Sequence, residues 1–424
     1  MKPTISSRSQ ANSRKAHLLV GALGKRIQQA YAHGRYADAL KLCHQAMRIA
    51  PGLAQPWIDA AACHLQFDRW DEAIGCAEQA LARKGNTLAL FDALAEAWGG
   101  KGVMDQAHRW GNQALAMRAA QFTRAPVLEH DTLAAPLPPP PSAETRAQNV
   151  IAFSLFGASS KYCETAVLNV IEQPRVYPHW ICRFYVDETV PTGILERLHE
   201  AGAEVVPVDG AHRHWPGQLW RFFAYDMPGL HRVIFRDADS VVGEREAEAV
   251  AQWVASGMHF HHMRDNATHT ELLLAGMWGV SAGALPPMQQ LVERFMSRPL
   301  QSTHFADQYF LREFIWPYAH QSLLQHDSVF GFMDARPFPS EAMPADSHVG
   351  YSEGSPFFDV LTDLGEGTPV HWELVAVSAE NVPFICRYPA IVTAGAVRGN
   401  LPARYARRLE RGELIIRVKA DARA

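Results

Sequence analysis

The sequence predicts an all-α domain of repeated helix pairs followed by an α/β domain with a mainly parallel sheet. Three observations lead to this prediction. A pattern of small and large apolar residues recurs every 34 residues near the start of the chain, a proline-rich stretch follows it, and short apolar strands then alternate with helical stretches. The length of 424 residues agrees with more than one domain, since a domain averages roughly 150 residues.

The repeats are visible as three sets of residues at an offset of 34. In each unit, small residues stand where two amphipathic helices must approach closely, and larger apolar residues fill the gaps between them. The first set is Gly34, Tyr36, Ala39, Cys43, Ala46, Met47 and Pro51; the second is Asp68, Trp70, Ala73, Ala77, Ala80, Leu81 and Gly85; the third is Gly102, Met104, Ala107, Gly111, Ala114, Leu115 and Ala119.

This pattern resembles three tetratricopeptide repeats over residues 20–121. Stacked helix pairs present a concave face that suits an extended peptide or a helix of a partner, so we expect a protein or peptide partner on the repeats. The alternative is that the repeats only dimerise or steady the second domain.

Residues 122–147 lose this periodicity and contain the run LAAPLPPPPSAE. Proline in such density permits neither a helix nor a central strand. We therefore predict an extended, semi-rigid linker, in preference to a ligand for a signalling module.

From residue 148 to residue 335 the pattern is that of an α/β domain. The segments NVIAFSLFG, WICRFYVD, AEVVPV and RVIFRD are predicted strands, and YCETAVLNVIEQ, TGILERLHEAG and GQLWRFFAYD are predicted helices. In a parallel sheet with helices on both faces, ligands bind outside the carboxyl ends of the strands. Residues that follow the strands are therefore the first candidates for a site.

The fourth predicted strand ends in Arg-Asp-Ala-Asp-Ser, which places two carboxylates, Asp237 and Asp239, at one strand end. Paired carboxylates of this kind suit a hard divalent cation that keeps several waters and also binds substrate phosphates. Buried carboxylates need a metal or other partners, and the apolar VIF before them predicts burial.

Four further features lie along the same part of the chain, and each has a structural role as its alternative interpretation. Arg221 either contacts a diphosphate or holds Asp237 in an ion pair. Gly276 permits a close approach to the backbone or belongs to a tightly packed strand. Asp307 with Gln308 lies near the start of an apolar helix, where an acid also caps, and His326 follows an apolar segment as a metal ligand or a structural residue.

Taken in order, these residues resemble the glycogenin-like family-eight nucleotide-sugar glycosyltransferases of the GT-A fold, together with related bacterial GT-A-like proteins. The resemblance also rests on KYCETAVLNV, HWICRFYVDETVP, HHMRDNATHT and AGMWG. It implies a GT-A-like, Rossmann-like domain over residues 148–335, a nucleotide-sugar donor, and Mn²⁺ or Mg²⁺ as cofactor. The segment after His326, Asp-Ser-Val-Phe, differs from the glycine and basic segment of that family.

The resemblance assigns a role to each matching position. Asp237, Asp239 and His326 become the metal ligands, Arg221 contacts the donor, and Gly276 lies beside the donor sugar. Asp307 and Gln308 match the active-site pair, and Asp265 is a second carboxylate able to stabilise the sugar cation or deprotonate the acceptor. Lys161 offers a cation after the first strand, and Trp278 either stacks on a sugar or base or packs in the core.

A histidine cluster is the rival metal site. His259 and His261 share one face of a strand, and His262 and His269 lie nearby, so two imidazoles could converge on zinc. Solvated or structurally bonded histidines are the preferred interpretation, because no H-E-x-x-H or cysteine framework accompanies them.

Residues 336–424 are predicted to be a long loop and an extension of the catalytic domain. The loop RPFPSEAMPADSHVGYSEGSP is rich in proline, glycine and acids. The basic run from Arg404 to Arg411 is compatible with peripheral contact to an anionic membrane, although a solvated helical face is the simpler interpretation.

Composition narrows the classes of function. Forty Lys and Arg against 44 Asp and Glu give a net charge of −4, which argues against a nucleic-acid partner. No 18-residue apolar segment or secretory leader is apparent, so we expect no transmembrane segment. The six cysteines show no paired spacing and favour reduced thiols, which predicts a cytoplasmic protein.

The function predicted from the sequence is metal-dependent transfer of a sugar from a nucleotide sugar to an acceptor, with the repeats recruiting a partner or acceptor. The alternative is a repeat-based interaction scaffold whose GT-A-like domain has lost catalysis.

Overall fold

The computed structural model describes residues 6–341, 343, 347–377 and 385–420, with side chains from residue 18 onward. The chain divides into two compact units. The repeat unit comprises the described residues through Thr123 together with Asp265–Leu272 and Asp327–Ala335. The α/β unit comprises Arg124–Arg264, Leu273–His326 and the described residues from Arg336 onward.

Six helices form three consecutive pairs in the repeat unit, as the 34-residue period predicts. The small residues of the pattern are buried where helices meet: Ala39, Ala73 and Ala107 are at most 1% exposed. Thr87 caps the fifth helix, because its hydroxyl accepts a hydrogen bond from the Leu90 N–H. The helices are α1 (Ser6–Ala32), α2 (Tyr36–Ile49), α3 (Gln55–Leu65), α4 (Trp70–Ala82), α5 (Leu88–Gly100) and α6 (Met104–Phe122).

Two later segments of the chain pack on the third helix pair within the same unit. The ring of Phe330 fills the space beside Gly111, where an added Cβ would lie 2.1 Å from a ring carbon. Asn112 donates a hydrogen bond to the Phe330 carbonyl at 2.8 Å, and Arg118 binds both Asp92 and Glu271. Part of the surface of the third repeat is therefore occupied by the chain itself.

A seven-stranded sheet with the order β3-β2-β1-β4-β6-β5-β7 forms the centre of the α/β unit. The pairs β1–β2, β1–β4 and β2–β3 are parallel, whereas β6 runs antiparallel to both β4 and β5, so the sheet is mixed and mainly parallel. The strands are β1 (Asn149–Leu155), β2 (Ile181–Val186), β3 (Glu204–Pro207), β4 (Arg232–Arg236), β5 (Phe260–Arg264), β6 (Met277–Ser281) and β7 (Leu323–Asp327).

Helices connect the strands at the predicted places, with one difference in type. The segment Gly217–Asp226 is a 3-10 helix that places Trp220, Arg221 and Phe222 in the interior. The apolar stretch after residue 305 is helical but includes a π-helical turn, Leu311–Ile315. The α-helices are α7 (Ser160–Val176), α8 (Thr192–Glu200), α9 (Glu244–Ala255), α10 (Met288–Met296), α11 (Ala306–Phe310) and α12 (Trp316–Ala319).

The proline run is fastened to the α/β unit rather than standing free as a spacer. The buried Arg232 donates hydrogen bonds to the carbonyls of Pro138 and Pro139 at 2.7 and 2.6 Å, and Thr132 donates to the Ala284 carbonyl at 3.0 Å. Proline has no N–H but keeps its carbonyl acceptor. The same residues that prevent a helix can therefore satisfy a buried guanidinium.

The C-terminal part of the chain adds two small antiparallel sheets to the same core. One has the order β10-β9-β12 and the other pairs β11 with β8. Trp372 and Tyr388 pack in this core, and the Tyr388 hydroxyl donates to the buried Glu164 at 2.6 Å. The elements are β8 (Phe357–Leu361), β9 (Pro369–Ala376), β10 (Cys386–Ile391), β11 (Ala396–Asn400), α13 (Ala403–Glu410) and β12 (Leu414–Ala420).

The basic run falls on α13, and several of its arginines have acidic partners. Arg404 binds Glu172 and Glu353, while Arg408 and Arg411 bind Glu413. All six cysteines are free thiols. Within the described chain, no helix combines the length and the apolar character needed to cross a membrane.

Candidate functional site

A cavity of about 370 Å³ opens at the carboxyl ends of β1 and β4. Strand β1 has β2 on one side and β4 on the other, so connections leave this point in opposite directions, which is where ligands bind in open α/β sheets. The cavity is lined by Ser154, Leu155, Phe156, Tyr162, Gln218, Arg221, Asp237, Ala238, Asp239, His304 and Asp307. Five of the residues predicted from the sequence thus belong to one region: Arg221, Asp237, Asp239 and Asp307 line the cavity, and Lys161 pairs with Asp239.

Asp237 follows β4 directly, and about half of its side chain, 53%, is exposed. Its Oδ1 accepts a hydrogen bond from Arg221, whereas an added Cβ on Gly276 would lie 2.0 Å from its Oδ2. Burial alone raises the pKa of Asp237, but the charge and hydrogen bond of Arg221 outweigh it and lower the pKa below its ordinary value. Gly276 therefore leaves room for an ionised carboxylate that faces the cavity.

Arg221 is the buried cation that organises the site. Its guanidinium donates to the Arg236 carbonyl at 3.0 Å, to Asp237, and to Asp307 Oδ2 at 2.8 Å, while its backbone N–H donates to the Ser154 hydroxyl. Its Nε is buried and has no hydrogen-bond partner among the residues that the structure describes. Of the two roles predicted for Arg221, the structure has the ion pair with Asp237.

Asp307 lines the cavity beside this arginine, and its side chain is only 11% exposed. Its Oδ1 accepts from the Gln308 N–H at 2.9 Å. Burial raises the pKa of Asp307 above its ordinary value, and Arg221 offsets this only in part. The cavity therefore holds two carboxylates whose surroundings shift their pKa values in opposite directions, so that Asp307 binds a proton more readily than Asp237 does.

Asp239 is held by residues from two distant parts of the chain. Lys161, in the first turn of α7, places its Nζ 3.1 Å from Asp239 Oδ2, and the Ser352 hydroxyl donates to the same oxygen at 2.6 Å. Burial lowers the pKa of Lys161, but Asp239 and Tyr162 more than compensate, so the net pKa is raised. The ammonium form of Lys161 is thus favoured in this position.

The two carboxylates fit a divalent cation only if waters and a bound phosphate complete the coordination of the metal. Asp237 and Asp239 supply oxygen ligands at the cavity, and Arg221 leaves Asp237 Oδ2 without a protein donor among the described residues. Nowhere in that part of the chain do three His, Cys, Asp or Glu side chains converge on one point. Mg²⁺ and Mn²⁺ tolerate this, because such ions often bind one or two carboxylates plus waters and substrate phosphates.

His326 does not join these carboxylates, contrary to the prediction. It is fully buried on β7, where its Nδ1 lies 2.8 Å from His261 Nε2 and its Nε2 lies 3.0 Å from Gln252 Oε1. Burial, with Arg336 nearby, lowers the pKa of His326 to about 4. A neutral imidazole with both nitrogens in hydrogen bonds is a structural residue here.

The other histidines of the rival zinc site are also structural. His261 is buried and stacks on Trp253, and His262 Nε2 accepts from the Leu274 N–H at 2.9 Å. His269 accepts from the Asp265 N–H in the repeat unit, and His259 is buried. These hydrogen bonds and the ring contact are those of structurally bonded histidines, which is the interpretation preferred from the sequence.

Three further predicted site residues have positions that differ from the prediction. Trp278 is 1% exposed and stacks on Phe235 with ring centroids 4.5 Å apart, so it packs in the core and does not face a ligand. Asp265 belongs to the repeat unit, where it accepts a hydrogen bond from Ser328. Gln308, with its amide oriented for hydrogen bonding, donates to the Leu273 carbonyl and accepts from the Ala275 N–H, both at 3.0 Å. It therefore holds the segment before Gly276 rather than facing the cavity.

Several residues of the site were not predicted as site residues. Phe156 and Tyr162 present partly exposed rings at the cavity, 41% and 39% exposed, and both follow the carboxyl end of β1. The position of Phe156 after a strand was a signal for it. His304 and Ser352 are far from the strand ends in sequence, so no local pattern indicates them.

Comparison with known proteins identifies the repeats. The tetratricopeptide repeat family model matches residues 30–97, so the N-terminal helices are tetratricopeptide repeats over at least that range. No curated protein matches the chain.

Two solved structures are similar in part, and both similarities are weak. One is the second TPR domain of human RPAP3 in complex with an HSP70 peptide, at 18% identity and a TM-score of 0.23, covering 24% of this chain and 85% of that one. The other is a mutant O-GlcNAc transferase from Thermobaculum terrenum, at 15% identity and a TM-score of 0.25, covering 46% of this chain and 42% of that one. TM-scores this low carry no argument about the site.

Proposed function

We propose that the α/β unit is a glycosyltransferase of the GT-A type that transfers a sugar from a nucleotide sugar to an acceptor. The observation that carries the proposal is the cavity at the carboxyl ends of β1 and β4, with Asp237 and Asp239 on its wall beside Arg221, Lys161 and Asp307. Two carboxylates beside a buried arginine and a lysine at one strand end can hold a divalent cation and a diphosphate together.

Asp237 and Asp239 would hold Mn²⁺ or Mg²⁺ together with the donor diphosphate. When bound, the ion would neutralise part of the negative charge on the departing diphosphate. Arg221 keeps Asp237 ionised and fixes its direction, Lys161 supplies a cation near the phosphates, and Phe156 and Tyr162 offer rings for the base.

In the reaction, the bond between the anomeric carbon and the diphosphate oxygen breaks, and its electron pair leaves with the nucleoside diphosphate. The acceptor hydroxyl oxygen forms the new bond to the anomeric carbon and loses its proton. We assign Asp307 to receive that proton, because it lines the cavity and because burial raises its pKa above the ordinary value, which makes it a stronger base.

The repeats are proposed to recruit a protein or peptide, which is either the acceptor or a partner that brings it. Their third helix pair already holds residues of the chain itself, including Phe330 and Glu271. A partner therefore binds the first two pairs or displaces these residues. We place the reaction in the cytoplasm, in keeping with six free thiols.

A second candidate function is an interaction scaffold with an inactive α/β unit. It is favoured by the position of His326, which lies in a buried histidine pair instead of completing the acidic pair. The two candidates differ in whether the cavity binds a nucleotide.

Thermal-shift measurements test the proposal. UDP, GDP and several nucleotide sugars are added with and without Mn²⁺, and a ligand bound only by the folded protein raises the midpoint as its concentration exceeds its Kd. We expect a metal-dependent rise for one base in the wild type and none in Asp239→Ala. The matched control is Asp359→Ala, since Asp359 forms a two-bond ion pair with Arg398 outside the cavity. Absence of any nucleotide shift in the folded wild type favours the scaffold.

A further inference from the structure

The acidic pair already has two protein cations. Arg221 binds Asp237, and Lys161 lies 3.1 Å from Asp239 Oδ2. With Asp307 included, three carboxylates meet two cations at this cavity. The free site is thus nearly neutral, and one of the two candidate metal ligands is bonded to an ammonium group.

The position of Lys161 is fixed by the C-terminal part of the chain. An added Cβ on Gly354 would lie 2.0 Å from the Lys161 carbonyl oxygen, and the Gly354 N–H donates to the Asp239 carbonyl at 3.2 Å. Ser352 also donates to Asp239 Oδ2. This segment packs against the first turn of α7 and so fixes the backbone of Lys161 next to the acidic pair, while the lysine side chain, 28% exposed, keeps the freedom to reorient.

In this same position the Lys161 ammonium group also lies beside an aromatic ring of the cavity wall. Its Nζ lies 5.1 Å from the ring centroid of Tyr162, which lines the cavity and is 39% exposed. An ammonium group can therefore move from Asp239 towards a ligand at the cavity while it stays near an aromatic face.

We propose that Lys161 is an internal counter-ion that keeps free divalent metal off Asp239, and that the metal enters together with a diphosphate. An ammonium group and a divalent cation compete for the same carboxylate and repel each other at close range. A diphosphate supplies the negative charge that lets both cations remain, with Lys161 moving to the phosphates. The inference rests on the proposed function for the identity of the ligands, and it adds an order to their binding.

The test measures Mn²⁺ binding to the protein without nucleotide, by the loss of the free Mn²⁺ signal in electron paramagnetic resonance. We expect Lys161→Met to bind Mn²⁺ on the order of tenfold more tightly than the wild type, within the usual range of coupling between sites. Lys161→Arg keeps the charge and should stay weak. Lys419→Met is the matched control, because Lys419 pairs with Glu373 at 2.8 Å away from the cavity.

A second titration adds UDP or GDP. The wild type should then bind Mn²⁺ more tightly than without nucleotide, and Lys161→Met should show a smaller gain. Unchanged Mn²⁺ affinity in Lys161→Met, with circular dichroism showing a folded protein, overturns the counter-ion role. Tighter Mn²⁺ binding by Lys161→Met with no nucleotide effect in any variant supports the counter-ion role and counts against the proposed transferase.

Discussion

Two buried arginines, one in each unit, bind two carboxylates each, and the one in the α/β unit lines a cavity. Arg118 in the repeat unit has a side chain 6% exposed and binds Asp92 and Glu271, which are 30% and 16% exposed. Arg221 in the α/β unit is 3% exposed and binds Asp307 and Asp237, and Asp237 is 53% exposed. The composition of the two clusters is nearly the same.

The two clusters differ in how many oxygens of the bound aspartate are used by the arginine. Both Arg118 Nη atoms are taken up by the two oxygens of Asp92, at 2.9 and 2.8 Å, a closed two-bond pair. Arg221 donates one hydrogen bond to Asp237, to its Oδ1. The other oxygen of Asp237, Oδ2, faces Gly276, and Asp237 itself lines the cavity. An arginine cluster therefore indicates a site only where a carboxylate keeps an oxygen and solvent access.

The largest expected effect is on ligand affinity, which should fall when the Arg221 cluster is changed and stay the same when the Arg118 cluster is changed. Asp237→Asn should weaken binding of a metal–nucleotide pair by about 100-fold, because it removes a charged ligand from the cavity. Asp92→Asn alters the Arg118 cluster and should leave that affinity unchanged. Calorimetric titration of both variants checks this, and equal losses in the two would contradict a ligand site confined to the Arg221 cluster.

The next effect is on stability. Arg118→Met removes the cation that binds Asp92 and Glu271 and should lower the free energy of unfolding by about 2 kcal/mol, since Asp92 keeps some solvent contact. Urea denaturation followed by circular dichroism measures it. Nucleotide affinity in the folded variant should equal that of the wild type, and a parallel loss of affinity would mean that the two clusters do not act separately.

Two glycines give a sharper version of the same comparison. An added Cβ at Gly276 meets Asp237 Oδ2 at 2.0 Å, and one at Gly111 meets the Phe330 ring at 2.1 Å. Gly276→Ala should displace the carboxylate and weaken ligand binding roughly tenfold. Gly111→Ala should instead cost about 1–3 kcal/mol of stability through overpacking, without a change in affinity. Reversed outcomes would refute the assignment of Gly276 to the site.

The smallest effect is a pH dependence. The folded pKa of Asp307 is raised, so its favourable contribution to folding is full below the unfolded pKa and is lost as pH rises through the folded pKa. Asp307→Asn should therefore gain Tm relative to the wild type as pH increases from about 4 to 7. For Asp237, whose pKa is lowered, stability is lost as pH falls below the unfolded pKa of about 4, so Asp237→Asn should gain Tm relative to the wild type as pH decreases within that lower range. Differences in Tm that do not vary with pH would contradict both shifts.

The features that could be predicted from the sequence are those that a local residue pattern determines. The 34-residue period identified the helix pairs, and the apolar strand before Asp237 and Asp239 identified the acidic pair. For Gly276 the sequence predicts the close approach of a ligand or tight strand packing, and the group that lies close to it in the structure is the carboxylate of Asp237.

Positions set by pairing between distant segments were not predictable in this way. Whether His326 faces a cavity or His261 depends on how β7 joins the sheet, and a shift of one residue turns a strand side chain to the other face. Trp278 lies opposite Phe235 in the register of β4 with β6, which places it in the core. Ser352 reaches Asp239 from 113 residues away, beyond any local signal.

The most direct test of the central claim follows the sugar–phosphate bond itself. Phosphorus-31 spectra of nucleotide sugars, recorded with Mg²⁺ and the wild-type protein, should show slow conversion of one donor to its nucleoside diphosphate, with water receiving the sugar in place of the acceptor. Asp237→Asn should abolish the conversion, and Asp359→Asn should leave it unchanged. Intact donors throughout, with no line broadening that would report binding, would contradict the assignment of the cavity at β1 and β4 to a nucleotide sugar.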